Sequence, residues 1–139
     1  MPLSVKSIPR EHVLAVWGEL EPWLAKVVGL TGKDDCLDVL GHILTGDYQC
    51  IVAVDDRIKA VCITQFSHVR AGKICTIVYV AGEGLTEWVN FVDIIEDWCK
   101  AQEVIRVEGI GRAGWEKILS SKGYRRVATN IRKDLTSGK

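Results

Sequence analysis

The residues able to do chemistry are few and scattered. Glu108 alternates with Val107 near the end of the run 104–109, and a carboxylate at a strand end is placed to act as a general base. A solvent-facing strand residue is the plainer alternative. Tyr79 stands near the end of another β-branched run, 73–80, with either a packing role or a hydroxyl directed into a cleft. Just beyond it, Gly82-Glu83-Gly84 precedes Leu85. A glycine loop between a strand and a helix offers unpaired N–H groups to a phosphate or pyrophosphate; the same loop also serves as an ordinary strand-to-helix turn. Arg112, Arg125 and Arg126 either approach such phosphates or form a solvated basic edge. Tyr124 follows Gly123 and reads better as a packed aromatic. Ser120 and Ser121 have no neighbouring His in a recognisable arrangement, which leaves nucleophilic hydrolysis without support.

Metal chemistry finds no pattern. His12, His42 and His68 lie far apart, and Cys36, Cys50, Cys62, Cys75 and Cys99 form no C-x-x-C pair. All five cysteines sit in apolar runs, so buried free thiols in a reducing compartment are expected. The chain carries 18 basic and 18 acidic side chains, a balance that argues against a protein devoted to neutralising nucleic-acid phosphates. The balance is uneven along the chain: residues 83–103 hold six acids and one base, and 106–139 hold nine bases and three acids. Two solvated surfaces of opposite sign account for this, as does a basic strip beside a phosphate-bearing ligand. No apolar stretch approaches the roughly 18 residues of a membrane helix, and 1–10 lacks a signal-peptide core, so a cytoplasmic protein is expected.

The elements that must position these residues follow from periodicity. With 139 residues, 47% of them apolar, a single domain over 1–139 is expected, and the five tryptophans (Trp17, Trp23, Trp88, Trp98 and Trp115) should lie mostly in its core. Residues 4–8 suit a short strand. Helical spacing runs from Val13 to Val28, with a break expected near Glu21 because Pro22 lacks a donor. Asp34 or Asp35 can cap a helix whose face is Leu37, Leu40, Ile43 and Leu44, with Gly46 as its stop. Strands are expected at 48–54, 58–66 and 73–80, then a helix at 85–102 with Trp88, Val92, Ile95 and Cys99 in its apolar stripe. A strand at 104–109, a helix at 113–122 and a final strand at 124–135 complete the order. The three hairpin-linked strands must be antiparallel, and 73–109 should form a parallel crossover.

That order resembles the GNAT N-acetyltransferase superfamily over nearly the whole chain. The most specific likeness is Gly111-Arg112-Ala113-Gly114-Trp115-Glu116-Lys117-Ile118-Leu119 followed by Lys122-Gly123-Tyr124-Arg125. It is similar to the family's last helix and its exit into the final strand, and its wording is similar to short GNAT-like proteins encoded by bacteriophages. The resemblance implies an α/β (α+β) fold whose mixed, mostly antiparallel sheet has about six to seven strands, with helices on both faces. It implies that 73–80 and 104–109 part at their C-terminal ends to admit acetyl-CoA. Val78, Tyr79, Val80, Gly82, Gly84, Leu85, Arg112 and Trp115 would then bind the cofactor, and exposed N–H groups on Tyr79 or Val80 would polarise the thioester carbonyl. Glu108 and Tyr79 are the catalytic candidates, and the activity implied is acetyl transfer from acyl-CoA to a small-molecule or protein amine.

The chain also departs from the family pattern. Glu83 occupies the loop where relatives usually carry Arg or Gln, and Glu87 follows in the first helical turn, where an acid satisfies the helix dipole itself. Arg112 and Leu119 stand where many relatives place Asn and Tyr, and Leu119 cannot protonate a departing thiolate. A second reading is therefore a GNAT-fold protein without catalysis, serving in assembly, as in a phage virion, or in contact with a host target. A third, nucleic-acid binding by the basic C-terminal third, lacks the interleaved aromatics that single strands stack on.

Overall fold

The computed structural model describes residues 4–30, 34–82, 85–109, 119–129 and 131–136, with side chains left undescribed at 30 and 85–90. Its elements are β1 (Ser4–Ile8), α1 (Arg10–Leu24), a 3-10 turn (Val28–Leu30), α2 (Cys36–Thr45), β2 (Gln49–Val54), β3 (Ile58–Val69), β4 (Gly72–Gly82), α3 (Leu85–Ala101) and β5 (Val104–Gly109). The sheet runs β1-β2-β3-β4-β5. Short turns at 55–57 and 70–71 join β2, β3 and β4 and force antiparallel pairing. Between β4 and β5 the chain crosses through α3, so that pair is parallel.

Two apolar layers sandwich the sheet. Val13, Leu20 and Leu24 of α1 and Val39 and Ile43 of α2 pack on Cys50, Val52, Val61, Ile63 and Tyr79. On the other face, Phe91, Ile95 and Cys99 of α3 pack on Ile51, Cys62, Cys75, Ile77 and Val80. Burial on both faces explains why β2 reads as a continuous apolar run instead of an alternating one. The capping residue of α2 is Asp35, whose carboxylate accepts the Asp38 N–H at 2.8 Å while Asp38 accepts the Asp35 N–H at 2.9 Å. Gly46, at φ 90, ends the helix in the left-handed region that favours glycine.

Four expectations are corrected. Helix α1 does not break at Glu21 but continues through Pro22 to Leu24. Proline there removes the bond to the carbonyl of Gly18, which is exposed and can be hydrated, while Leu20 and Leu24 anchor the last turns in the core. Helix α2 docks through Val39 and Ile43, with Leu40 half-buried. Leu37 is 73% exposed and Leu44 is 38% exposed; seven residues apart, they share a row turned away from the sheet. The expected final strand is not formed by 124–129 or 131–135, which pair with no strand among the described residues. Five strands are thus present among the described residues. Trp17, Trp23 and Trp98 are half-buried at the margins of the two layers instead of deep within them, with Trp98 stacked on Phe66 at 5.4 Å.

The docking face of α2 is testable by a pair of truncations. Ile43→Ala should cost about 2–5 kcal/mol, and Leu37→Ala should stay within about 0.5 kcal/mol of the parent, both read by urea denaturation.

Candidate active site where β4 and β5 part

Among the described residues, strand β4 has two neighbours along its first half and one along its second: its parallel pairing with β5 runs from Lys73↔Val104 to Ile77↔Gly109, the last described residue of β5. Pairing with β3 continues to Gly82↔Ala60. Residues 78–82 of β4 therefore present a backbone edge that the described residues of β5 do not cover.

A bulge marks the point of parting. Ile63 pairs with Tyr79 and Thr64 with Ile77, so Val78 has no partner on β3. An extra residue of this kind interrupts the ladder and redirects its neighbours. Val78 and Tyr79 consequently both face the α1/α2 layer, and Val80 returns to the α3 layer. The disrupted position is Val78, one residue before the Tyr79 and Val80 N–H groups that the resemblance singles out.

Tyr79 is 3% exposed and its hydroxyl donates to Asp34 Oδ2 at 2.7 Å. Tyr48, equally buried, donates to the same oxygen at 2.9 Å. The Tyr79 hydroxyl is thus engaged beneath the loop that enters α2, and its ring packs in the α1/α2 core. Burial, and then the Asp34 hydrogen bond, push the Tyr48 phenol well above its ordinary value. Asp34 is the residue that sequence reasoning undervalued. It stands 14 and 45 positions from its two donors, and nothing local announces the contact.

Glu108 lies beside Thr76 in the β4–β5 register. Val107 packs into the α3 layer, so alternation puts Arg106 and Glu108 on the opposite face, the one shared by Val78 and Tyr79. The Glu108 side chain is 42% exposed and lies 3.6 Å from the Arg106 guanidinium, an exposed pair worth at most about 1 kcal/mol. Glu108 and the bulge are separated by two residues of β4, on the order of 7 Å at a strand's rise.

Gly82 has a structural reason independent of any ligand. A Cβ there would meet the Ala60 Cβ at 2.7 Å and the Lys59 carbonyl oxygen at 3.3 Å. Gly109 is roomier, with the Ile77 carbonyl oxygen the nearest atom at 3.7 Å. Gly84, Arg112 and Trp115 lie outside the described residues, as does the Leu85 side chain. Leu119 is half-buried. Tyr124 packs as expected, its hydroxyl donating to Glu96 Oε2 at 2.6 Å, while Arg125 and Arg126 are exposed.

Elsewhere, a depression of about 400 Å³ lies among Glu19, Pro22, Trp23, Lys26, Arg57 and Ile58, at the end of α1 and away from the β4–β5 divide. The thiols of Cys50, Cys62, Cys75 and Cys99 are buried and free, with Cys36 half-buried. Burial pushes Cys50 up to about 12 and Cys62 well above its ordinary value. A hydrogen bond with Cys99 raises Cys75 and lowers Cys99. Cys50, Cys62 and Cys75 hold their protons at neutral pH and are poor nucleophiles. No helix among the described residues is long and apolar enough to cross a membrane.

No family model matches the sequence, and no curated protein does. The backbone, in contrast, matches solved structures along its whole length. Glucosamine-6-phosphate N-acetyltransferase from Arabidopsis thaliana superposes with a TM-score of 0.68 at 13% identity, covering 98% of this chain and 100% of that one. A predicted acetyltransferase from Clostridium acetobutylicum, solved with acetyl-CoA, gives 0.66 at 9% identity over 96% of both chains. A ribosomal-protein-alanine N-acetyltransferase from Brucella melitensis biovar Abortus gives 0.66 at 8% identity, covering 98% and 99%. The fold is that of the GNAT acetyltransferases. At these identities the likeness carries the GNAT fold and no substrate.

Two measurements check the site's construction. Gly82→Ala should cost about 1–3 kcal/mol through overpacking against β3, and Gly109→Ala no more than about 0.5 kcal/mol, both read by urea denaturation. The phenols of Tyr48 and Tyr124 titrate near 10.0 in the unfolded chain and higher in the folded one. Their contribution is complete below about pH 10 and is lost as pH rises above it, because the unfolded state then releases protons that the folded state keeps. Tyr48→Phe should flatten the fall in unfolding free energy above about pH 10; an unchanged slope contradicts the raised phenol.

Proposed function

We propose that this protein is an acyl-CoA-dependent N-acetyltransferase that binds acetyl-CoA along the uncovered edge of β4. The observation that carries this reading is the bulge that leaves Val78 without a partner on β3, next to Ile77↔Gly109, the last β4–β5 pair among the described residues. A strand edge released from its neighbour has backbone donors and acceptors that must be paired, and a pantetheine arm carries amides suited to them. Val78, Tyr79 and Val80 would supply the N–H that polarises the thioester carbonyl, and Gly82 leads the edge toward the loop that opens α3. The bound thioester supplies an activated acetyl group. Glu108, on the same face as the bulge, would take the proton from the acceptor amine directly or through water. Direct transfer needs alignment more than a covalent nucleophile, so a leaving thiolate protonated by solvent is sufficient. Solved neighbours named for a sugar phosphate and for a ribosomal protein support an amine acceptor without choosing between small molecule and protein. Buried free thiols fit a cytoplasmic site of action.

The second reading, a GNAT-fold protein without catalysis, is favoured by the engagement of Tyr79 with Asp34 together with Leu119 and Glu83 in place of the family's acid and phosphate-binding side chains. On that reading the likeness of 111–119 to short bacteriophage proteins makes a virion or host-interaction role the natural one.

Thermal melting with acetyl-CoA and an assay of CoA release over a panel of amines separate the two. An active site predicts stabilisation of about 2.7 kcal/mol at a hundredfold excess over Kd, a rise of several degrees in Tm. Glu108→Gln should keep that shift and lower CoA release by about 10²–10⁴-fold. No shift with acetyl-CoA overturns the enzyme reading and leaves the scaffold.

A further inference from the structure

The depression of about 400 Å³ at the end of α1 combines an apolar floor with charges of both signs. Glu19 and Trp23 stand one turn apart on α1. Lys26 follows in the turn that closes the helix, its N–H bonded to the Trp23 carbonyl at 3.2 Å. Opposite them lie Arg57 and Ile58, where β2 turns into β3. The backbone of Arg57 is held twice: its N–H donates to Asp55 Oδ1 at 3.2 Å, and its carbonyl accepts the Asp55 N–H at 3.1 Å. Ile58 is buried and Trp23 half-buried, both packed into the α1/α2 layer, so the floor belongs to the scaffold. Glu19, Lys26 and Arg57 are exposed around it. Lys26 Nζ lies 4.5 Å from the centroid of the Trp23 ring. By folding back over Trp23, the ammonium stands about one helical turn from Glu19, on the order of 6 Å along the axis.

We propose that this depression binds a free α-amino acid with an apolar side chain. The carboxylate of the ligand lies between Lys26 and Arg57. Lys26 contributes a point charge, and Arg57 a planar fork that pairs with both carboxylate oxygens. The ligand's ammonium donates to the Glu19 carboxylate, and its side chain covers Pro22, Trp23 and Ile58. The arrangement of charge selects this class. A plain carboxylate would meet the negative charge of Glu19, and a plain amine the two cations; a zwitterion meets an opposite charge at each end. The volume also suits a small molecule, since ligand pockets span about 300–1,000 Å³. The site stands apart from the parted edge of β4 and does not depend on acetyl-CoA. Its occupant bridges the end of α1 and the β2–β3 turn.

An amide-resolved NMR titration of the full chain with L-leucine, in the absence of acetyl-CoA, tests the site. Saturable shifts are expected at the Trp23 indole and at the amides of Lys26, Arg57 and Ile58, with the β4 amides from Val78 to Gly82 unmoved. L-leucinamide, which lacks the carboxylate, and N-acetyl-L-leucine, which lacks the ammonium, should each bind about tenfold more weakly, the effect of one hydrogen bond to a charged group. Lys26→Gln and Arg57→Gln should each weaken L-leucine to a similar extent. Glu19→Gln separates the two ends of the ligand: it should weaken L-leucine about tenfold and leave N-acetyl-L-leucine no weaker. All three side chains are exposed, so each variant should keep the parent's folded spectrum. No saturable shift with L-leucine, equal binding of the three probes, or a Glu19→Gln variant that binds L-leucine as the parent does would each overturn the proposal.

Discussion

The structure depends on the way β4 is held by its two neighbours: among the described residues, β3 pairs with it from end to end and β5 as far as Ile77. If the parallel pairing continued, the backbone of 78–82 would be spent within the sheet and no ligand could use it. The bulge at Val78 is part of the same arrangement. It adds one residue to β4 against β3, interrupts the ladder beside the last described pair with β5, and turns two successive side chains toward α1 and α2. Burial elsewhere makes this interruption affordable, because apolar layers on both faces hold β3 and the first half of β4.

Tyr79 shows how the scaffold and the chemistry compete for the same residue. Its backbone belongs to the parted edge, and its side chain belongs to the core, tied through Asp34 to Tyr48. A carboxylate accepting two buried hydroxyls fixes the loop before α2 against the sheet with charge-assisted bonds, each stronger than a neutral pair. The side of the sheet on which Val78 and Glu108 stand is therefore a rigid one. That rigidity favours preorganised backbone donors over a mobile proton-donating phenol as the contribution of this region.

The sequence makes the sheet legible because its signals are local. The alternation of 104–109 matches the described span of β5, and Gly46 and the pair Asp34-Asp35 bracket α2. Where packing decides between equivalent rows, local pattern is insufficient. Leu37 and Leu44 look as apolar as Val39 and Ile43, and only docking on β2 and β3 selects the latter. Pro22 is tolerated because the carbonyl it orphans faces water, which depends on the orientation of α1. For the site, the glycine loop and Glu108 are visible as residue types, whereas the bulge at Val78 is a register difference between two strands and has no signature in either. Gly82 looks like part of a phosphate cradle and is required by the approach of Ala60. The strand-like pattern of 124–135 is unmistakable, yet 124–129 and 131–135 join no strand among the described residues.

The most direct test of the parted edge is an amide-resolved NMR titration of the full chain with acetyl-CoA. Binding along β4 requires the largest shifts at the amides of Val78, Tyr79, Val80 and Gly82, with a smaller response at Gly109 across the divide. Shifts confined to the depression around Trp23 and Lys26, or a β4 edge that does not respond at saturating acetyl-CoA, would contradict the account.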